Sequence, residues 1–301
     1  MKSWIQKINK KELIQQRKYS QKYQDSLIDF IFENIKTSKN PFCVEFGYNH
    51  KNIFKNNCGN CTKLIIDHNW DYVLFDCHNE NESINLYKHF LTSNNICEIF
   101  RKYNVPKDVD YISIDVDSID LWLFEALLKK YKARLFSVEH NSNFPIDRAI
   151  TKIENTNFFE GDRLYGASLK ALNLVAEKNG YSLIWVVEEL DAFFVRNDLI
   201  EKELEIFKPN LKKWKSITDK ICHKPVNNEE RLKECLDYEI FLKSNGNIEK
   251  SINAAQDICE KVLLKNRFRE YKQFINRQVK DPILSFRKLI KRGSDFIKEK
   301  I

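Results

Sequence analysis

Between residue 42 and about residue 195 the chain alternates short, nearly unbroken apolar runs with segments whose apolar residues recur every three or four positions. The runs are FCVEF at 42–46, YVLFD at 72–76, YISID at 111–115, RLFSV at 134–138, SLIWVV at 182–187 and AFFV at 192–195, with a weaker seventh at 89–92. Helical spacing falls between them at 60–68, 82–87, 95–103, 120–131 and 164–179, the last closed by Asn179-Gly180 as a C-cap. Apolar runs without polar alternation are strands buried on both faces, and helices between them supply the covering layers. The pattern predicts an α/β fold: a doubly wound, mostly parallel, seven-stranded Rossmann-like sheet whose ligands sit at the carboxyl ends of its strands.

The flanks differ from this body. Over residues 1–40, Leu13, Tyr23, Leu27, Ile31 and Ile35 recur at helical spacing until Pro41 interrupts, so an N-terminal helical segment is expected. Beyond 200, Pro209, Pro225 and Pro282 separate polar, helical-looking stretches at 229–243, 247–275 and 283–300, and no strand is expected there. The expected division is 1–40, 41–200 and a helical basic extension at 201–301. Charge follows that division: residues after 200 hold 24 basic and 16 acidic side chains, against 26 and 27 before. Lys261, Lys265, Arg267, Arg269, Lys272, Arg277 and Lys280 alternate with Phe268, Tyr271 and Phe274. Such a tail suits nucleic-acid phosphates or an anionic surface, although a solvated helix face is the commoner outcome. No run of 18 apolar residues and no signal peptide is present, which predicts a cytoplasmic chain with no transmembrane segment. Eight cysteines then read as reduced thiols. Cys58 and Cys61 with Cys77 and His78 are a weak zinc candidate, because Cys61 opens a helix and Cys77 adjoins a strand-end acid.

Candidate chemistry collects where the runs end. The first strand ends Glu45-Phe46-Gly47, the second at Asp76, and YISIDVDSID places Asp115, Asp117 and Asp120 at the exit of a buried strand. Asp120 suits capping of the following helix, which leaves Asp115 and Asp117 as functional candidates. Glycine after the first strand permits close backbone approach, and an acid after the second can hold two ribose hydroxyls. The G-x-G-x-x-G fingerprint is absent, so a nucleoside without a pyrophosphate fits better than a dinucleotide. Glu139, His140 and Asn141 end the next strand and face the same crevice. Asp115, Asp117 and Glu139 together form a candidate Mg²⁺ site, and His140 is the competing candidate base.

Several segments carry a resemblance. PFCVEFG at 41–47, NCTKLIIDHNWDYVLFD at 60–76, LTSNNICEIF at 91–100, VDYISIDVDSIDLWLFEAL at 109–127, LFSVEHN at 135–141, YGASLKAL at 165–172 and AFFVRNDL at 192–199 resemble, in order, the Rossmann-like S-adenosylmethionine-dependent methyltransferases near the FkbM-type branch. The resemblance covers about half of the chain. It implies S-adenosylmethionine as cofactor, with Glu45 and Gly47 beside its methionine part, Asp76 on the ribose, and Asn94 or Asn95 at the adenine. It also implies O-methylation of a sugar, glycan precursor or small polar acceptor; for that chemistry Asp115, Asp117 and His140 are the catalytic candidates, and Tyr165 and Ser168 belong either to a loop over the acceptor or to simple packing. Two departures stand out: Tyr48-Asn49-His50-Lys51-Asn52 where the family's first loop carries further glycines, and Ser118 where it tends to have glycine. The rival expectations are a methyltransferase-fold binding or scaffold protein with a filled pocket, and an RNA-directed methyltransferase anchored by 261–301.

Overall fold

The computed structural model describes residues 2–54, 59–154, 159–218, 220 and 222–264. The strands are β1 (Phe42–Phe46), β2 (Asp71–Asp76), β3 (Leu86–Lys88), β4 (Tyr111–Ile114), β5 (Leu135–Glu139), β6 (Ile150–Lys152), β7 (Tyr181–Val186), β8 (Asp191–Arg196) and β9 (Cys235–Asp237). The helices are α1 (Lys10–Gln16), α2 (Gln24–Ile35), α3 (Thr62–Ile66), α4 (Ile96–Lys102), α5 (Asp120–Leu128), α6 (Leu169–Lys178), α7 (Glu201–Ile206), α8 (Tyr238–Lys243) and α9 (Ile248–Cys259).

Seven strands form the central sheet in the order β3-β2-β1-β4-β5-β8-β7, while β6 and β9 make a separate pair. The order builds outward in both directions from the β1–β4 junction, the crossing point at which open α/β sheets leave a crevice. Strands β1 to β5 pair in parallel, and β8 runs antiparallel between β5 and β7. This α/β architecture, a mostly parallel sheet flanked by helices, is compatible with a Rossmann-like fold.

Period-two alternation divides the apolar side chains between two cores. Val44, Val73, Phe75, Ile112, Ile114, Phe136 and Val138 pack on one face against Phe100 of α4, Phe124 of α5 and Leu172 of α6. Cys43, Leu74, Tyr111 and Leu135 pack on the other against Leu27, Ile31 and Ile35 of α2 and Leu64 of α3. Burial on both faces is why these strands carry few polar residues before their ends. Helix α6 begins at Ser168, whose hydroxyl accepts from Ala171 N (3.2 Å) and from Ile150 N of β6 (3.0 Å). Ser168→Ala removes a cap and leaves a strand N–H unpaired, so it should cost about 1–2 kcal/mol in chemical denaturation.

Several boundaries differ from expectation. The N-terminal segment is split into a 3₁₀ turn (Trp4–Lys7), α1 and α2, although Leu13, Tyr23, Leu27, Ile31 and Ile35 are all buried. The third strand is Leu86–Lys88 rather than 89–92, and 82–87 holds a 3₁₀ turn that feeds it. Residues 164–168 precede α6 outside the helix, with a bend at Gly166 (φ 49°) and a single bridge from Ala167 to Thr151. Strand β9, where no strand was expected, pairs antiparallel with β6, so residues after 200 complete a sheet begun within the body. The basic segment 261–301 lies outside the described residues apart from 261–264. Among the described residues no helix is long and apolar enough to cross a membrane.

Candidate functional site

Parallel strands β1, β2, β4 and β5 all deliver their last residues to one edge of the sheet. Within each strand, Glu45 follows Cys43, Asp115 follows Ser113 and Glu139 follows Ser137 at the two-residue period, so these acids share a face. Strand β8 enters that edge from the opposite direction, and its first residue, Asp191, lies directly across from Glu139.

The structure brings Asp115, Asp117 and Glu139 together: one carboxylate oxygen from each lies within 4.8 Å of the others. Asp115 and Asp117 are half-buried and Glu139 is buried, so the group opens to the crevice on one side. Asp117 has a left-handed backbone (φ 56°), which turns the chain so that two acids two residues apart converge. Asp120 fixes this turn by accepting Val116 N (2.8 Å) and Ser118 N (3.1 Å). It is therefore not the cap of α5; that position is Ile119, and the carboxylate holds the preceding loop instead.

Burial, with neighbouring negative charge added to it, governs the electrostatics. It raises Asp115 and Glu139 well above the usual carboxylate range, each reinforced by the other acids of the cluster. Burial also raises Asp117, and lifts Asp120 to about 7 and Asp191 to about 6. Glu139 Oε2 and Asp191 Oδ1 are buried with no hydrogen-bond partner. An oxygen-only donor set of this span suits a hard divalent cation, around which carboxylate oxygens lie at most about 4–5 Å apart.

The other candidates are distributed as follows. Glu45 is buried and raised to about 7 by desolvation; its two oxygens accept Asn60 N (2.9 Å) and Cys61 N (2.7 Å). Gly47 is exposed, with φ +74°. A Cβ added there would lie 1.8 Å from the Asp115 carbonyl oxygen, so the close approach it permits is to β4 itself. Asp76 accepts His78 N (2.8 Å), Asn79 N (2.6 Å) and Asn79 Nδ2 (2.9 Å), all at Oδ1. Asn95 spends its side chain on Thr92 N (2.8 Å) and Phe90 O (2.9 Å), while Asn94 is exposed beside it. His140 is buried one residue beyond the end of β5. Its Nδ1 contacts Leu190 O (2.7 Å), burial lowers it to about 4, and its charged neighbours are Lys22, Glu189 and Glu188. It is a neutral buried histidine. Tyr48, the bulkiest residue of the first loop, points inward: it is buried, and its hydroxyl reaches Thr62 (3.4 Å).

The loop before α6 brings Tyr165 beside the cluster. Asn141 Nδ2 donates to Arg163 O (2.9 Å) and Tyr165 O (2.8 Å), pinning Tyr165, whose hydroxyl is pushed up first by burial and then by Glu139. Ser168 is engaged in capping α6. Two residues of the site carried no strong sequence signal. Asp191 opens an apolar strand, a placement that matters only once β8 is known to run backwards. Asn60 donates to Ser113 Oγ (3.0 Å) and Asp191 Oδ2 (3.3 Å), tying the α3 turn to the acid row. Cys58 lies outside the described residues, and Cys61 is buried against Glu45.

Comparison with known proteins finds no family model and no curated protein that matches this chain.

Proposed function

We propose that the chain is an S-adenosylmethionine-dependent methyltransferase acting on a hydroxyl of a sugar, glycan precursor or other small polar acceptor, with Mg²⁺ held by Asp115, Asp117 and Glu139. The observation that carries this reading is the row of acids at the crossing point of a seven-stranded, mostly parallel sheet, beside an exposed glycine. The residues present fit the two groups. Asp76 retains Oδ2 for ribose hydroxyls after its three local bonds at Oδ1. Tyr48, the bulkiest residue of the crowded first loop, is turned into the core. The orphaned Glu139 oxygen fits a cation.

Bound in the crevice, S-adenosylmethionine supplies an electrophilic methyl group, and Mg²⁺ lowers the pKa of an acceptor hydroxyl. The chain's part is alignment. Asp76 orients the nucleoside, Glu45 braces the α3 turn against β1, and Asp117 and Asp120 shape the floor. Tyr165, held neutral by burial, offers a hydrogen bond beside the acid cluster. Isothermal titration with S-adenosylmethionine tests the reading, and Asp76→Asn is expected to weaken binding roughly tenfold or more. Absence of heat, with no shift in melting temperature at millimolar donor, would remove the proposal.

A further inference from the structure

A lysine laid along an apolar surface normally carries its ammonium out into water. Lys213 does the reverse. Its Nζ lies 4.5 Å from the ring centroid of Trp214, 5.0 Å from that of Trp185 and 5.8 Å from that of Phe207. All three distances fall within the roughly 6 Å over which a ring face attracts a cation. Among the described residues Lys213 forms no ion pair and no side-chain hydrogen bond, so ring faces are what this ammonium meets. Burial lowers its pKa, and no carboxylate opposes that shift. The rings are held by contacts of their own. Trp185 sits on β7, the outermost strand of the sheet, and its Nε1 donates to Tyr23 Oη (3.4 Å). Trp214 closes a 3₁₀ turn (Leu211–Trp214) opened by Asn210, whose side chain accepts Lys212 N (2.9 Å). The two indoles meet edge-on, with centroids 5.2 Å apart and planes at 77°. Phe207 follows α7, its N–H bonded to Glu203 O (2.7 Å). Trp214 and Phe207 are buried, whereas Lys213 as a whole is exposed and free to swing away.

From this geometry we propose that Trp185, Trp214 and Phe207 form an aromatic box for a small quaternary ammonium compound, with Lys213 as a built-in occupant that the ligand displaces. The site draws on no residue of the acid row and stands whether or not the methyl-donor reading does. Its preference follows from what the rings offer. A primary ammonium brings three N–H donors, and ring faces satisfy them less well than water or a carboxylate does. A quaternary ammonium brings no donor, is weakly hydrated, and turns methyl groups that share its positive charge toward the π faces. The box therefore suits such a ligand better than it suits its own lysine. An attraction of this class keeps Lys213 in place roughly nine-tenths of the time, so a ligand meets the open box about one-tenth of the time. Removing the lysine lifts that competition.

Titration of the full chain with choline chloride, followed by calorimetry and tryptophan fluorescence against sodium chloride of matched ionic strength, tests this. Lys213→Ala is expected to bind choline about tenfold more tightly than wild type. In that variant two relatives of choline are each expected to bind at least about fivefold more weakly. One is ethanolamine, which keeps the charge as a primary ammonium; the other is the uncharged alcohol in which carbon replaces choline's nitrogen. Adding Trp185→Leu to Lys213→Ala is expected to abolish the preference for choline. Lys213→Gln, which keeps a side chain of similar reach without the charge, is the second variant should Lys213→Ala fold poorly, and thermal melting checks each protein. No gain in affinity on removing the lysine charge overturns the proposal. So does equal binding of the uncharged alcohol, which would mark a merely greasy hollow, or an undiminished preference without Trp185. Folded lysine variants that bind no choline overturn it outright.

Discussion

With metal ions chelated, the melting temperature is expected to fall by roughly 5–10 °C between about pH 6 and pH 8, and millimolar Mg²⁺ at pH 8 is expected to recover most of the loss. The sign follows from three carboxyls held high in the folded chain: Glu45 and Asp120 at about 7 and Asp191 at about 6. Unfolded, they titrate near 4, so between these values the folded chain binds more protons than the unfolded one. Stability from these groups is fully present below their unfolded values and is lost as pH rises through about 6–7. The displacement of Glu45 alone corresponds to a ceiling of roughly 3 kcal/mol, and coupling among the acids makes the total less than the sum. His140 acts in the opposite sense. Lowered to about 4, it is neutral in the fold, and its contribution is lost as pH falls from about 6.5 toward 4. Between about pH 4 and 6.5 it offsets part of the loss from the carboxyls, and above 6.5 the loss is theirs alone. A cation seated on Asp115, Asp117 and Glu139 offsets the repulsion that deprotonation creates, and saturation at a hundred times Kd adds about 2.7 kcal/mol. Glu139→Gln should reverse both observations at pH 8, raising the melting temperature of the chelated protein and abolishing the response to Mg²⁺. Thermal melting across pH, with EDTA and with Mg²⁺, is the measurement. A flat profile, or a Mg²⁺ response equal in wild type and Glu139→Gln, would mean that the acids neither repel one another nor gather an ion.

What the sequence made legible follows from how parallel sheets bury themselves. Strands covered on both faces must be apolar until they exit, so FCVEF, YVLFD and YISID announced both their strands and the edge at which Glu45, Asp76 and Asp115 emerge. Asp117 and Glu139 followed from the same logic, and the three prospective metal ligands do meet. Direction is a different matter. An apolar run reads the same whichever way it points, so nothing in DAFFVR revealed that β8 runs against β5 and carries Asp191 to the crevice. Pairing of three-residue strands across more than eighty positions, as between β6 and β9, leaves no periodic trace at all. His140 was drawn to the site by its nearness to Glu139, yet it lies past the end of β5, where its Nδ1 is engaged with Leu190 O and burial lowers its pKa. Glu45 was placed correctly at the edge, but its partners are two backbone N–H groups of the α3 turn, which side-chain patterns do not encode.

Gly47→Ala should destabilise the protein by at least about 3 kcal/mol, far more than the same change at Gly180. Both glycines have left-handed backbones, with φ +74° and +77°, so each replacement carries the strain of a side chain there, about 1 kcal/mol. Their surroundings separate them. At Gly180 nothing lies within 4 Å of an added Cβ, whereas at Gly47 the Asp115 carbonyl oxygen would be 1.8 Å away. That oxygen belongs to backbone and has no rotamer with which to withdraw. Relief requires β1 and β4 to part where Glu45 faces Ser113, next to Asn60 and the acid row. The same movement would displace Asp115 from Asp117 and Glu139, so the stabilisation by Mg²⁺ should shrink together with the stability. Chemical denaturation of the two variants, with and without Mg²⁺, measures both effects against one control. A loss at Gly47 no larger than at Gly180 would show that the strand ends yield to a methyl group. The acid cluster would then owe little to the tight β1–β4 junction, and the rigidity on which alignment of donor and acceptor depends would have to come from the loop that Asn141 pins.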